Sequence, residues 1–157
     1  MIDSTIETKK HIEKLSDMIY IVVKELNSRT IKHDQSKLES LEKEIFDEYT
    51  PKLKNTTYGS EEYKQFLKEM KPALDNHYKK NRHHPEHFKD VYDADGAWNP
   101  LSGMNLIDLI EMFCDWKAAT LRHDDGDINK SISINQKRFN ISDQVVSIFQ
   151  NSVDLFD

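Results

Sequence analysis

Residues 105–119, NLIDLIEMFCDWKAA, carry the clearest helical pattern in this chain of 157 residues. Apolar side chains recur three and four positions apart, Asn105 stands where an N-cap is expected, and Asp108 lies in the first turn. Asp115 interrupts the apolar stretch, and a carboxylate is costly to bury without a cation. The stretch predicts an amphipathic helix with Asp115 as a candidate metal ligand. A salt bridge on a solvated face is the alternative for Asp115.

Helical periodicity continues on both sides of this stretch. It predicts a helix over residues 4–27 and a second helix from near His33 and Asp34 to before Thr50-Pro51. A third helix is predicted over residues 61–80, with a kink at Pro72. A short helix around residues 132–139 and a last helix capped by Ser142 follow. Residues 81–103 contain Pro, Gly and several Asp and are expected to be irregular. We therefore expect an all-α, single-domain helical bundle over residues 1–157, with an irregular His-rich segment.

The composition agrees with this fold class and excludes several functions. With only 4 Gly and 4 Pro, 37% hydrophobic and 32% charged residues, the chain suits a helical protein with few tight turns. The net charge of -6 argues against duplex nucleic acid or an anionic membrane as a partner. The single cysteine, Cys114, cannot form an internal disulfide and is expected in the core. A signal peptide or membrane span is not expected, so the predicted location is cytoplasmic.

Four of the seven histidines lie within residues 77–87, namely His77, His83, His84 and His87. Clustered imidazoles are typical of a metal site, because neutral imidazole is the commonest nitrogen ligand of transition metals. A solvated loop without a metal is the alternative reading.

A second candidate element is HDQSK, which contains His33, Asp34 and Lys37. His33 offers a nitrogen ligand and Asp34 a charged oxygen, and a carboxylate can bridge two cations whereas imidazole binds one. An N-cap Asp with a flanking His is the alternative. Lys37 lies one turn beyond Asp34, so it could contact an anion held on the metal or form a surface pair with Asp34.

The order of these residues resembles the pattern H...HD...H...H...H...D of the HD-domain superfamily, and HDQSK is similar to its HDxxK variant. Members are helical metal-dependent phosphohydrolases, with a few diiron oxygenases among their relatives. The resemblance implies one metal held by His11, His33, Asp34 and Asp115, with Asp34 bridging to a second metal held by His77 and two of His83, His84 and His87. The strings NRHHPEHF, NLIDLIEMFCDWKAA, RHDDGDI and INQKRF also resemble a small family of phage and bacterial proteins that carries no known activity.

The resemblance implies a metal-dependent phosphohydrolase that acts on a nucleotide or a related small phosphoester. One or two divalent ions (Mn, Fe, Zn, Co or Ni) are expected as cofactors, with Asp34 and Lys37 in the catalytic machinery. The candidate phosphate-binding residues are Lys37, Arg82, Arg122 and Arg138, although each arginine alone also fits a surface charge. A diiron oxygenase and a non-catalytic nucleotide- or metal-binding protein of phage origin remain as alternatives. The expected partner is a small phosphorylated substrate, with no duplex nucleic acid and no membrane, and a homodimer is left open.

Overall fold

The computed structural model describes residues 3–57, 60–122 and 126–156. These ranges contain the α-helices α1 (Thr5–Lys32), α2 (Ser40–Lys54), α3 (Glu61–Glu69), α4 (Lys71–Lys80), α5 (Leu106–Thr120), α6 (Ile128–Phe139) and α7 (Asp143–Asn151). Short 3₁₀ turns cover Gln35–Leu38, Pro85–Phe88, Pro100–Gly103 and Val153–Phe156. Within the described residues the only β pairing is an isolated bridge between Tyr92 and Trp98. The all-α fold class is confirmed.

Backbone contacts divide the chain into two units, Met1–His33 and Asp34–Asp157. The first unit contains α1, a helix of 28 residues that starts where expected and runs five residues beyond its predicted end. None of its described side chains is buried, including the apolar run MIYIVV at residues 18–23. Among all described helices, none combines the length and the apolar character needed to cross a membrane. One domain over residues 1–157 stays a prediction.

The core of the second unit lies between α5, α6 and α7. Its buried members are Met112, Phe113, Ile128, Ile132, Phe139, Ile141, Val146 and Phe149. The N-terminus of α5 has the predicted cap, since the Asn105 side chain accepts from the Asp108 backbone and the Asp108 side chain accepts from the Asn105 backbone. Ser142 caps α7 as predicted. Cys114 was expected in this core but is exposed, because it lies on the side of α5 that faces away from the core residues Met112 and Phe113.

Further helix boundaries differ from the predictions, and α6 begins at Ile128 rather than near residue 132. The HD dipeptide does not open α2: His33 ends α1, and Asp34 has φ 55°, a left-handed conformation that a right-handed helix cannot contain. The helix α2 continues through Pro51 to Lys54, because Pro51 removes only one backbone hydrogen bond close to the helix end. The third helix is broken at Met70, and Pro72 lies in the first turn of α4, where proline is tolerated.

Candidate metal centre

Three segments of the second unit bring nitrogen and oxygen donors together. Asp34 lies in the turn before Gln35–Leu38, His77 lies in the last turn of α4, and His83 and His84 follow α4 in the irregular segment. Each of these four residues offers one donor atom, and the four atoms lie within 4.8 Å of one another. The described residues therefore contain a cluster that could hold a metal ion.

The distances show that the donors face a common point. The Nε2 atom of His77 lies 3.2 Å from Oδ1 of Asp34 and 2.9 Å from Nε2 of His84. The Nε2 atom of His83 lies 3.5 Å from the same Asp34 oxygen. His77 and His83 are buried, whereas Asp34 and His84 are half-buried, so the cluster has one interior side and one accessible side. The left-handed backbone of Asp34 turns the chain sharply at this point, a conformation that Asp tolerates better than most residues.

A buried polar network surrounds the other ring nitrogen of His77. Its Nδ1 lies 2.9 Å from Oε2 of Glu42 in α2, and Ser36 donates its hydroxyl to the same oxygen at 2.8 Å. Asn76 donates to the second oxygen of Glu42 at 2.6 Å, and Asn81 donates to Ser36 at 2.8 Å. Because the network joins α2, α4 and the turn after Asp34, it fixes the His77 ring relative to all three.

Carboxylates of α5 also lie beside the cluster. The Oε1 atom of Glu111 lies 3.2 Å from Nδ1 of His83, and the Glu111 side chain is only 10% exposed. Asp115 follows one helical turn later, and one of its oxygens lies within 4.8 Å of an Asp34 oxygen. The predicted ligand Asp115 is therefore close to the predicted ligand Asp34.

His84 is held in its neutral form by its surroundings. Burial, followed by the neighbouring rings of His83 and His77, lowers the pKa of His84 to about 3. Its ring centroid lies 4.1 Å from that of His83 and 4.7 Å from that of His77. Neutral imidazole is the form that binds metal ions.

Lys37 lies at the accessible side of the cluster. Its Nζ atom is 2.5 Å from Oδ2 of Asp34, so the two Asp34 oxygens serve different partners. The Lys37 side chain is 34% exposed and also lies over the ring of Phe46, with 5.3 Å from Nζ to the ring centroid. The pair with Asp34 is one of the two predicted roles of Lys37, and a contact with an anion stays a prediction.

The three candidate phosphate-binding arginines lie in different environments. Arg82 forms two contacts with the buried Asp108, at 2.9 and 3.3 Å, and Arg138 pairs with Glu86 at 2.6 Å. Arg122 lies exposed just beyond the end of α5. The described contacts of Arg82 and Arg138 are those of ion-pair partners, and a phosphate-binding role for any of the three stays a prediction.

The structure distinguishes among the predicted histidine ligands of the irregular segment. His83 and His84 belong to the donor cluster, whereas Nδ1 of His87 donates to the Tyr78 carbonyl at 2.8 Å. Among the described residues, His87 belongs to no group of clustered donors. His11 is exposed in α1, and both His11 and His33 belong to the first unit. A role for these two residues as ligands stays a prediction.

Sequence reasoning missed Glu42, although a signal for it was present. Glu42 stands between Leu38 and Phe46 at helical spacing, on the apolar side of α2, and its side chain is 0% exposed. The argument that singled out Asp115, a carboxylate within an apolar pattern, applies equally to Glu42. Ser36, Asn76 and Asn81 carried no such signal, because short polar residues are common on solvated helix faces.

A sequence profile described as "Family of unknown function (DUF5662)" matches residues 2–155. The chain belongs to this family. No curated protein and no solved structure matches the chain. The DUF5662 match assigns no chemistry, so the resemblance to the HD-domain superfamily stays a prediction and the function must be argued from the donor cluster itself.

Proposed function

We propose that this protein is a metal-dependent phosphohydrolase that acts on a nucleotide or a related small phosphoester. The observation that carries the proposal is the convergence of four donor atoms, from Asp34, His77, His83 and His84, within 4.8 Å of one another. Residues far apart in the sequence meet there, and two of the four are buried. A solvated His-rich loop has no reason to produce this arrangement.

The charges around the cluster favour a bound divalent cation. Asp34, Glu42 and Glu111 bring three carboxylates close to the imidazoles, and Lys37 brings one ammonium group. The low pKa of His84 keeps that ring neutral, so it adds no positive charge to the cluster. Carboxylates in a poorly solvated region are stabilised by positive charge. A divalent cation at the four donors would supply such charge.

The donor types favour a transition metal over magnesium or calcium. Three imidazole nitrogens and one carboxylate oxygen suit Mn, Fe, Co, Ni or Zn, whereas Mg and Ca prefer oxygen ligands alone. A six-coordinate ion with four protein donors keeps two positions for water and substrate. Asp115, whose carboxylate lies close to that of Asp34, offers a further oxygen for the same ion or for a second one.

The residues at the accessible side fit a phosphoester substrate. A bound divalent cation supplies Lewis-acid chemistry, lowering the pKa of a coordinated water and neutralising charge on a phosphoryl group. Lys37 positions an ammonium group beside Asp34, where it can hold a non-bridging phosphate oxygen. Asp34 presents one oxygen to the donor cluster and the other to Lys37, and thereby orients the phosphate contact relative to the donors.

A purely structural ion is the second candidate, and the number of donors favours it. Four protein ligands complete the coordination of tetrahedral zinc, and such closed sites stabilise folds without catalysing reactions. In that case the buried network around His77 serves the fold alone. Phosphate release by the metal-loaded protein separates the two candidates.

Metal content is the first test, measured by mass spectrometry on protein purified without a metal-affinity tag. We compare wild type with Asp34→Asn, which removes the charge while Asn tolerates the left-handed backbone. The matched control is Asp47→Asn, an exposed aspartate of α2 that pairs with Lys43. We expect near-stoichiometric transition metal in wild type and the control, and its loss in Asp34→Asn. Absence of metal from wild type after addition of Mn²⁺, Fe²⁺ or Zn²⁺ would refute the proposal.

The histidine ligands have an internal control in the same segment. His84→Gln is expected to lower metal content, whereas His87→Gln should retain it, because the His87 ring bonds a backbone carbonyl. Phosphate release from a panel of nucleoside mono-, di- and triphosphates then tests catalysis. Tightly held zinc with no release supports the structural ion, and iron with oxygen consumption supports the oxygenase alternative.

A further inference from the structure

The carboxylate of Glu42 accepts hydrogen bonds from three side chains. Its Oε1 lies 2.6 Å from Nδ2 of Asn76, and its Oε2 lies 2.8 Å from Oγ of Ser36 and 2.9 Å from Nδ1 of His77. The Glu42 side chain is 0% exposed, so its interactions are with the protein. Ser36 and Asn76 both donate to Glu42, and a hydrogen bond from His77 to the same carboxylate requires a proton on Nδ1.

This requirement favours a proton on Nδ1 of His77, which also lies 3.2 Å from Oγ of Ser36 and 3.1 Å from Nδ2 of Asn81. The hydrogen of Ser36 is directed to Glu42, and the Asn81 amide donates to Ser36 and to the His77 carbonyl, each at 2.8 Å. Protonated Nδ1 satisfies Glu42, whereas an unprotonated Nδ1 would place two lone pairs 2.9 Å apart. A histidine that binds a cation through Nε2 has its single N–H group at Nδ1, and the lone pair of Nε2 is then available for the cation.

That lone pair faces the donor cluster, where Nε2 of His77 lies 3.2 Å from Asp34 and 2.9 Å from His84. We propose that Glu42 is a positioning residue that holds His77 in the Nδ1–H tautomer, with Nε2 presented to a divalent cation. A histidine ligand is commonly oriented in this way by a carboxylate on its other nitrogen. The cation at Nε2 rests on the proposed function, whereas the contact of Glu42 with Nδ1 belongs to the protein without metal.

His83 repeats the arrangement with a carboxylate from a different helix. Its Nδ1 lies 3.2 Å from Glu111 of α5, and its Nε2 lies 3.5 Å from Asp34. Two buried histidines therefore each have Nδ1 against a carboxylate and Nε2 in the cluster. Both histidines would thus be oriented as ligands before a cation binds.

The test is a ¹⁵N–¹H long-range correlation spectrum of the metal-free protein, which reports the protonation of each ring nitrogen. We compare wild type with Glu42→Gln, which keeps size and shape but replaces one acceptor oxygen by a donor group. Glu44→Gln is the matched control, because Glu44 is exposed on the same helix. Binding of Mn²⁺ is measured by calorimetry on the same three proteins, and circular dichroism confirms that each is folded.

In wild type we expect His77 with a protonated Nδ1. Glu42→Gln should lose this fixed protonation of Nδ1 and bind Mn²⁺ about 10- to 100-fold more weakly, with Glu44→Gln unchanged. A wild-type His77 with an unprotonated Nδ1 would overturn the proposal, and so would unchanged Nδ1 protonation and affinity in Glu42→Gln. If Glu42→Gln does not fold, the wild-type spectrum decides alone. The expected tautomer in a wild-type protein that binds no cation would support the role of Glu42 and refute the proposed function.

Discussion

Asp108→Ala tests whether the N-terminus of α5 is anchored to the histidine segment by one buried carboxylate. Asp108 is 0% exposed, accepts from the Asn105 backbone at 3.1 Å, and pairs with Arg82 at 2.9 and 3.3 Å. Arg82 immediately precedes His83, and α5 carries Glu111, which contacts His83. The change should therefore lower stability and loosen the cluster on its α5 side.

The expected loss follows from the contacts removed. Asn105 still caps the helix in this variant, and losing the hydrogen bond from the Asn105 backbone to the Asp108 side chain costs about 1 kcal/mol. The ion pair contributes about 1–2 kcal/mol, a discounted value because the Arg82 side chain is 41% exposed and regains water when freed. The free energy of unfolding should fall by about 2–3 kcal/mol. For a chain of this length, each kcal/mol corresponds to about 2–4 °C in Tm, so Tm should fall by about 4–12 °C.

Urea denaturation of Asp108→Ala, Arg82→Ala and the double variant measures the coupling, which we expect at about 1–2 kcal/mol. Arg138→Ala is the control, because its ion pair with Glu86 is half exposed and should contribute at most about 1 kcal/mol. If Arg82 instead served to bind phosphate, Arg82→Ala would leave stability unchanged. A coupling near zero would refute the anchoring role of Asp108.

Two further predictions concern the core and one turn of the second unit. Ile132→Ala should lower the free energy of unfolding, measured by urea denaturation, by about 2–5 kcal/mol, because Ile132 is a core residue of α6 that is 0% exposed. A loss below about 1 kcal/mol, typical of a surface substitution, would contradict the assigned core. Asn140 has φ 53° at the end of α6, so Asn140→Ala should lower the free energy of unfolding by about 1 kcal/mol, whereas Asn140→Gly should leave it nearly unchanged. The Tm of each variant measures this difference. Equal effects of the two substitutions on Tm would contradict the left-handed cap.

Local signals in the sequence were sufficient for most of the helices. The periodicity of residues 105–119 and the caps Asn105 and Ser142 act within one or two turns, and the structure has helices where they predict them. The wrong boundaries occur where local rules compete. Asp34 adopts a left-handed turn although its neighbours suit a helix start, and Pro51 is accommodated within the last turns of α2.

The candidate site was predicted in its donor types and only partly in its arrangement. Clustered imidazoles and the HD dipeptide are visible as residue types, so His77, His83, His84 and Asp34 were all named. The sequence did not show that His87 lies outside the donor cluster, because the direction of the His87 ring depends on a hydrogen bond to the Tyr78 carbonyl. The role of Glu42 depends on the packing of α2 against α4.

The sequence by itself determined that this chain is helical and rich in metal-binding side chains, because helix periodicity and donor chemistry are properties of neighbouring residues. Only the tertiary structure decided that the Nε2 atoms of His77 and His83 meet Asp34 while their Nδ1 atoms meet the carboxylates of Glu42 and Glu111. These contacts join residues 28 to 49 positions apart in the sequence, and no local rule sets how separate helices pack.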